Sequence, residues 1–116
     1  MTLRELADAC QGEIVATPGG EVAVHAAYAS DLLSDVMGHA PPESVLITVQ
    51  NHVNTIAVCT LADIRAVLVC HGRGIPDDML AAARREGVAL LRTPLDQFHA
   101  ACRLAALAFR DHTHRA

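Results

Sequence analysis

Five consecutive apolar residues, Ala66 to Cys70, are the feature of this sequence that most restricts its fold. An apolar run of strand length without polar alternation is typical of a strand buried on both faces, as in a parallel sheet covered by helices. A second run of this kind covers Val88 to Leu91, and a helical pattern that opens at Pro76 lies between the two. Strand, helix and strand in this order form a right-handed crossover unit. We therefore predict an α/β fold with a mostly parallel sheet and helices on both faces.

The other segments continue the same alternation. Thr2 and Glu5 have the spacing of a capping box, turn residues at 17–20 separate two short strands, and Gly87 is expected to cap a helix C-terminus. Residues 111–116 are polar and are expected to fray. Strands are predicted over 13–17, 21–29, 44–50, 66–70 and 88–91, and helices over 2–10, 31–37, 51–61, 76–86 and 95–109.

Length and composition favour one folded domain over residues 1–116. The chain has 116 residues, and no repeat or linker divides it. Hydrophobic residues make up 52% and charged residues 19%, which is enough apolar material to fill a core.

Several classes of function are excluded by the same composition. Aromatic residues make up 3%, the basic residues are all Arg and are spread along the chain, and the net charge is −4. The stacking platforms and basic stripe of a nucleic-acid-binding protein are therefore missing. Lys is absent, which excludes Schiff-base catalysis and a phosphate-loop Lys. Without a signal-peptide pattern or an apolar run of membrane-spanning length, we expect a cytoplasmic protein with no membrane partner.

The cysteines and histidines form no recognisable metal or redox motif. Cys10, Cys59, Cys70 and Cys102 lie far apart without a CxxC pair, and we interpret them as buried apolar residues in a reducing compartment. The seven histidines include no pair at helical i, i+4 spacing, and no GxSxG elbow is present. We therefore expect no catalytic residue, metal or cofactor, and we predict that the chain is not an enzyme.

Polar residues follow several of the predicted strands. Because an open parallel sheet binds ligands outside the carboxyl ends of its strands, these residues are the candidate ligand contacts. The alternative is that Ser30, Asn51 and Thr93 are helix N-caps and that the others are solvated loop residues. The candidate ligand-binding residues are Ser30, Asp31, Gln50, Asn51, His52, Asn54, His71, Arg73 and Thr93.

Arg73 is the best candidate for an anion contact, because its planar guanidinium can bind a carboxylate or phosphate with two hydrogen bonds. Gly72 and Gly74 flank it, but the segment does not predict a dinucleotide loop. Asp77 and Asp78 occupy the following helix start, where they would repel an anion.

The last predicted helix carries more apolar residues than one buried face requires. Leu95, Phe98, Cys102, Ala105 and Phe109 are predicted to form a core-facing stripe. The surplus predicts a surface for self-association, for which a two-fold homodimer is the default. Deeper burial of the helix is the alternative. The surplus residues are Ala101, Leu104, Leu107 and Ala108.

The chain resembles the small stand-alone DRTGG-domain proteins over nearly its whole length. The resemblance rests on YASDLLSDVM at 28–37 and ITVQNHVN at 47–54. It continues through HGRGIPDDMLAAARREGVALLRTPLDQF at 71–98, which is similar to the later half of that domain, as also found in the N-terminal module of HPr kinase/phosphorylase. In one departure, Ala26 and Ala27 stand where the family usually has paired glycines, which would let the backbone approach a ligand closely.

The resemblance implies an α/β module that is not itself catalytic. In larger proteins such a module accompanies kinase, phosphotransacetylase or CBS-type pyrophosphatase domains, and stand-alone forms suggest a link to redox-enzyme (hydrogenase) or kinase-type regulation. The expected function is thus a regulatory or protein-interaction domain, as a homodimer or with a protein partner. The alternative is a small-molecule sensor that binds a nucleotide-like or anionic metabolite at the strand ends.

Overall fold

In the part of the chain that the structure describes, five strands form one sheet and five helices pack on its two faces. The computed structural model describes residues 1–20, 22 and 24–108, with side chains up to residue 106. Phe109, the tail at 111–116 and the side chains of Leu107 and Ala108 therefore lie outside the description. The strands are β1 (Glu13–Ala16), β2 (Ala26–Ala29), β3 (Ser44–Thr48), β4 (Ala66–Val69) and β5 (Ala89–Arg92). The helices are α1 (Leu3–Ala9), α2 (Leu33–His39), α3 (Val53–Leu61), α4 (Asp77–Glu86) and α5 (Gln97–Ala108).

The strand order is β1-β5-β4-β3-β2, with β2 to β5 parallel. β1 pairs antiparallel with β5, placing Glu13 opposite Arg92. The predicted class, a mostly parallel sheet with helices on both faces, is confirmed. The predicted strand over 21–29 is shorter in the structure and begins at Ala26.

The apolar runs of the sequence become strands buried on both faces. Every residue of β3 and β4 is buried. On one face, Leu68 and Leu91 pack with Leu6 of α1 and Leu104 of α5. On the other face, strand residues such as Val67 pack with α2, α3 and α4. The longest described helix has 12 residues, and none in the described part of the chain is long and apolar enough to span a bilayer.

The orientation of α5 differs from the sequence prediction. Ala100 and Leu104 face the core and are fully buried, whereas Phe98 is 70% exposed and Cys102 and Ala105 are also exposed. The predicted core-facing stripe is therefore wrong. Gln97, the first residue of α5, donates its side-chain amide to atoms of β3 and the β2–α2 loop, and these long-range contacts favour the observed orientation together with the burial of Leu104. Burial is confirmed for the other three cysteines, Cys10, Cys59 and Cys70.

Candidate ligand site at the carboxyl edge of the sheet

The four parallel strands end at the same edge of the sheet, and the nine candidate residues lie at that edge. His52 and His71, which follow the neighbouring strands β3 and β4, are therefore on the same side of the molecule. Ser30 and Asp31 follow β2, Gln50 and Asn51 follow β3, Asn54 lies in the first turn of α3, Arg73 follows β4 and Thr93 follows β5.

Asp31 joins three elements through one carboxylate oxygen. Its Oδ1 accepts hydrogen bonds from Thr48 Oγ1 at 2.9 Å, from the Val49 amide at 2.8 Å and from Gln97 Nε2 at 3.1 Å. Gln50 Nε2 donates to the Asp31 carbonyl at 2.8 Å. The end of β3, the start of α5 and the β2–α2 loop are therefore held together at Asp31.

Sequence reasoning missed Thr48 and Gln97, which hold this carboxylate. Each had a signal: Thr48 is the polar end of an otherwise apolar strand, and Gln97 opens the helix that starts at this edge. Thr48 is buried, and Gln97 is half-buried.

Arg73 and Asn51 join the loop after β4 to the loop after β3. An Arg73 terminal nitrogen donates to the Val49 carbonyl at 3.0 Å, and Asn51 Nδ2 donates to the Gly74 carbonyl at 2.8 Å. Arg73 is exposed, so its guanidinium is accessible to solvent. This geometry leaves Arg73 able to contact an anion while its position is fixed by the loop.

The structure corrects the N-cap of α3. The cap is His52, whose Nδ1 accepts from the Asn54 amide at 3.1 Å. Asn51 is not the cap because its side chain is held by the Gly74 carbonyl instead. His52 therefore acts as an acceptor at Nδ1, and its side chain is exposed at the edge.

Ser30 does not cap α2. Its Oγ accepts from the Leu32 amide at 3.1 Å, closing a turn within the loop, and α2 begins only after Leu32, which provides no side-chain cap. The sequence pattern predicts Asp31 as the first residue of this helix. The helix starts later because the Asp31 side chain is held against Thr48 and Val49.

Thr93 is at the edge but points inward. It is 1% exposed, its hydroxyl donates to the Cys10 carbonyl at 2.5 Å, and the same oxygen accepts from the Leu95 amide at 3.1 Å. These bonds connect β5 to the end of α1 and to the approach to α5. Thr93 therefore has a structural role, and its hydroxyl is already occupied. The helix cap is Asp96 instead, whose Oδ1 accepts from the His99 amide at 2.8 Å.

The loop after β4 has an unusual backbone. His71 and Gly72 both have φ of 62°, a left-handed conformation that is uncommon for a residue with a Cβ. Their amides donate to the carbonyls of Leu95 and Thr93. This pairing fixes the loop, leaving the His71 side chain exposed near Asp96.

The edge carries charges of both signs. Hydrogen bonds from the backbone and side chain of His99 hold the pKa of Asp96 below its ordinary value, and attraction to His71 acts in the same direction. Asp96 and Asp31 therefore supply carboxylates, and Arg73 supplies a guanidinium. Such a surface can donate hydrogen bonds to an anion and accept them from hydroxyl or amino groups of the same ligand.

The carboxyl edge is an open surface more than a cavity. Of the nine candidate residues, Thr93 lines a 270 Å³ cleft that it shares with Gly72 and Arg92. In the described ranges, no three His, Cys, Asp or Glu side chains are arranged to hold a metal ion.

No protein-family model and no curated protein sequence matches this chain significantly. Among solved structures, the chain is similar to the CBS and DRTGG domains of the regulatory region of Clostridium perfringens pyrophosphatase, crystallised with its activator diadenosine tetraphosphate. The TM-score is 0.69 at 12% identity, and the match covers 89% of this chain and 45% of the pyrophosphatase chain. The chain thus spans less than half the length of the chain it matches, and it shares the fold found in a CBS and DRTGG regulatory region.

Proposed function

We propose that this chain is a non-catalytic regulatory domain of the DRTGG type that binds a nucleotide-like or anionic small molecule at the carboxyl edge of its sheet. The observation that carries the proposal is the joining of the loops after β2, β3 and β4 by Asp31, Asn51 and Arg73 into one polar surface. Its fold supports the same function, because the similar pyrophosphatase region is regulatory and was crystallised with a dinucleotide activator. A regulatory domain can use such a surface to couple ligand binding to loop positions.

The partners and the compartment form part of the proposal. The domain would act in the cytoplasm, where the free thiols of Cys10, Cys59 and Cys70 fit a reducing environment. It would associate as a homodimer or with a protein partner, for which the exposed Leu32 and Phe98 are suitable contacts. The hydrogenase or kinase-type enzyme that it would regulate is proposed from the sequence motifs alone.

A ligand screen tests the binding proposal. Thermal unfolding is measured with diadenosine tetraphosphate, ATP, AMP and inorganic phosphate, and a probe that binds the folded chain raises Tm. For the best probe, Arg73→Ala should raise Kd by roughly ten- to hundred-fold, as expected for the loss of a charge-assisted contact. Arg84→Ala is the matched control, because Arg84 is an exposed Arg in the last turn of α4, away from the edge. Unchanged Tm with all four probes, or equal losses in both variants, would contradict the proposed site.

A separate assay tests the absence of catalysis. The chain has no Lys, and the proposal expects no phosphoryl transfer. Incubation with labelled ATP and HPr should leave HPr unlabelled and release no phosphate above the rate without protein. Labelling that depends on the purified chain would show that the domain is an enzyme.

A further inference from the structure

The described residues cover one face of the sheet less completely than the other. α1 and α5 cover one face, whereas α2, α3 and α4 cover the opposite face. Helices pack about 10 Å apart and strands lie about 4.8 Å apart, so two helices cover roughly four strands. The strand left over is β2, which lies at the edge of the sheet. A groove of 410 Å³ is open there between β2 and α5.

Small residues line most of this groove. Ala101 and Ala105 line it from α5, and Ile47 of the neighbouring strand β3 forms its floor. Tyr28, the one large residue of β2, packs with the core on the opposite face, and Ala27 packs with the core on this face. The groove is therefore left open by the described residues. The contributions from the β2 side are His25, Ala26, Ala27, Tyr28 and Ala29.

The same face carries a large apolar side chain that lies outside the groove. Phe98 is 70% exposed and precedes Ala101 and Ala105 by three and seven residues, so all three lie on one side of α5. The face thus has an exposed aromatic ring at one end and an alanine-lined hollow beside it. A surface that contains both a projection and a matching hollow is self-complementary, which is the requirement for a two-fold interface.

We propose that this β2/α5 face is where two copies of the chain associate, with Phe98 of each copy occupying the groove of the other. This inference rests on the homodimer of the proposed function and names its surface. The polar side chains at the two ends of β2 favour the same arrangement, because an imidazole can donate a hydrogen bond to a carboxylate. Asp31 lies at the carboxyl end of β2 and His25 at the opposite end. A two-fold axis that exchanges the ends sets Asp31 against the partner's His25 and keeps the two aspartates apart.

Cys102 gives this geometry a direct marker. It lies between Phe98 and Ala105 on the same side of α5 and is exposed, whereas Cys10, Cys59 and Cys70 are buried. An axis that exchanges Phe98 with the Ala101–Ala105 hollow passes near the middle of α5. The two Cys102 thiols should therefore approach each other in the dimer.

Sedimentation velocity over a concentration series and cysteine cross-linking test the proposal on the full chain. Wild type should sediment as a dimer at high micromolar concentration, and a short bis-maleimide should link two chains in a reaction that Cys102→Ser abolishes. Phe98→Glu should raise the dimer Kd by roughly thirty-fold or more, as for an aromatic hot spot, and Phe98→Ala should weaken the dimer less. Leu61→Glu is the matched control, because Leu61 is 73% exposed but lies on α3, on the opposite face.

The outcomes separate this surface from the proposed function. A wild-type monomer at high micromolar concentration would overturn the self-association. A dimer that survives Phe98→Glu, or that fails to cross-link through Cys102, would overturn this surface while leaving a homodimer in place. The ligand screen with Arg73→Ala is independent of all three results, because Arg73 does not line the groove.

Discussion

Asp31 is exposed, yet one of its carboxylate oxygens accepts hydrogen bonds from a strand hydroxyl, a loop amide and a helix side chain. At the scale of single residues, the fold around the candidate site depends on a few such side chains that join separate elements. Thr93 also joins separate elements, because its buried hydroxyl connects β5 to the end of α1. Tyr28 joins β2 to α2 through its hydroxyl. Two predictions follow from the chemistry of Thr93 and Tyr28.

Thr93→Val should destabilise the fold by about 1–3 kcal/mol, because it leaves the Cys10 carbonyl and the Leu95 amide without their partner in a buried place. Val has nearly the same shape, so the loss reports the hydroxyl. Thr93→Ser keeps the hydroxyl and is the control, and it should lose clearly less stability in urea unfolding. Equal losses in the two variants would show that the methyl group, and not the hydrogen bonds, makes the difference.

The Tyr28 hydroxyl donates to Asp35 Oδ2 at 2.6 Å, and this bond is the main cause that holds the pKa of Asp35 below its ordinary value. A carboxylate whose pKa is lowered on folding stabilises the protein above its unfolded-state pKa and loses that effect as pH falls through the lower, folded-state value. Tyr28→Phe should therefore lower the free energy of unfolding at pH 7. The deficit should shrink as pH falls from about 5 towards 2.

Urea unfolding of wild type and Tyr28→Phe across this pH range measures the effect. Asp35→Asn supplies the control background, because it removes the titrating carboxyl group. When Tyr28→Phe is added to Asp35→Asn, the change in the free energy of unfolding should no longer depend on pH. A deficit of Tyr28→Phe that stays constant with pH would contradict the role assigned to Asp35.

At the scale of elements, backbone conformation decides where helices end. Gly87 caps α4 with φ of 72°, and its amide bonds to the Ala83 carbonyl. A Cβ at this position would meet no atom closer than 3.9 Å, so a substitution there meets conformational strain and not a clash. Gly87→Ala should therefore destabilise the fold by roughly 1 kcal/mol, and Gly87→Asn by less. Chemical denaturation measures both, and an Ala variant as stable as wild type would contradict the left-handed cap.

Element types were predictable where the local pattern was strong. β4 and β5 followed from unbroken apolar runs, α1 from the Thr2–Glu5 capping box, and the C-terminus of α4 from Gly87. Helix starts were less predictable because long-range contacts decide them. Asp31 is held by β3, so α2 begins late, and Asn51 is held by Gly74, so His52 becomes the cap of α3.

The rotation of α5 shows the limit of pattern reasoning most clearly. Apolar residues occur around much of the helix, so periodicity alone could not decide between Phe98 and Ala100 as the core residue. The orientation of α5 also depends on the hydrogen bonds from Gln97 to Asp31 and to the Ile47 carbonyl, which lie 66 and 50 residues away in the sequence. The prediction that polar residues gather at one edge needed only the parallel direction of the strands, and the structure places them there. The antiparallel pairing of β1 with β5 had no local signal.

At the scale of the whole molecule, the two faces and the carboxyl edge divide the proposed tasks. The α2, α3 and α4 face completes the core, the β2/α5 face is proposed for self-association, and the edge is proposed for the ligand. Asp31 and Gln97 connect the carboxyl edge to the β2/α5 face, because they join the edge loops to the start of α5. A ligand that pulls on the Asp31 loop can therefore alter the position of α5 in the dimer, which is the coupling that a regulatory domain needs.

Asp31→Asn tests this connection. It keeps the size of the side chain but removes the charge that the donors of Thr48, Val49 and Gln97 share. We expect a lower Tm and a weaker effect of the ligand on the dimer Kd, measured by sedimentation with and without the best probe of the screen. A variant that retains the full effect of the ligand on dimerisation would show that the coupling does not pass through Asp31.

The most direct test of the central claim is a titration of the ¹⁵N-labelled chain with diadenosine tetraphosphate, followed by amide chemical shifts. The account predicts that the largest shifts fall on the loops that follow β2, β3 and β4, at Asp31, Gln50, His71 and Arg73. Amides at the opposite edge, such as Asp63 and Gly87, should stay in place. Saturable shifts centred on that opposite edge, or unchanged spectra at millimolar ligand, would contradict a ligand site at the carboxyl edge of the sheet.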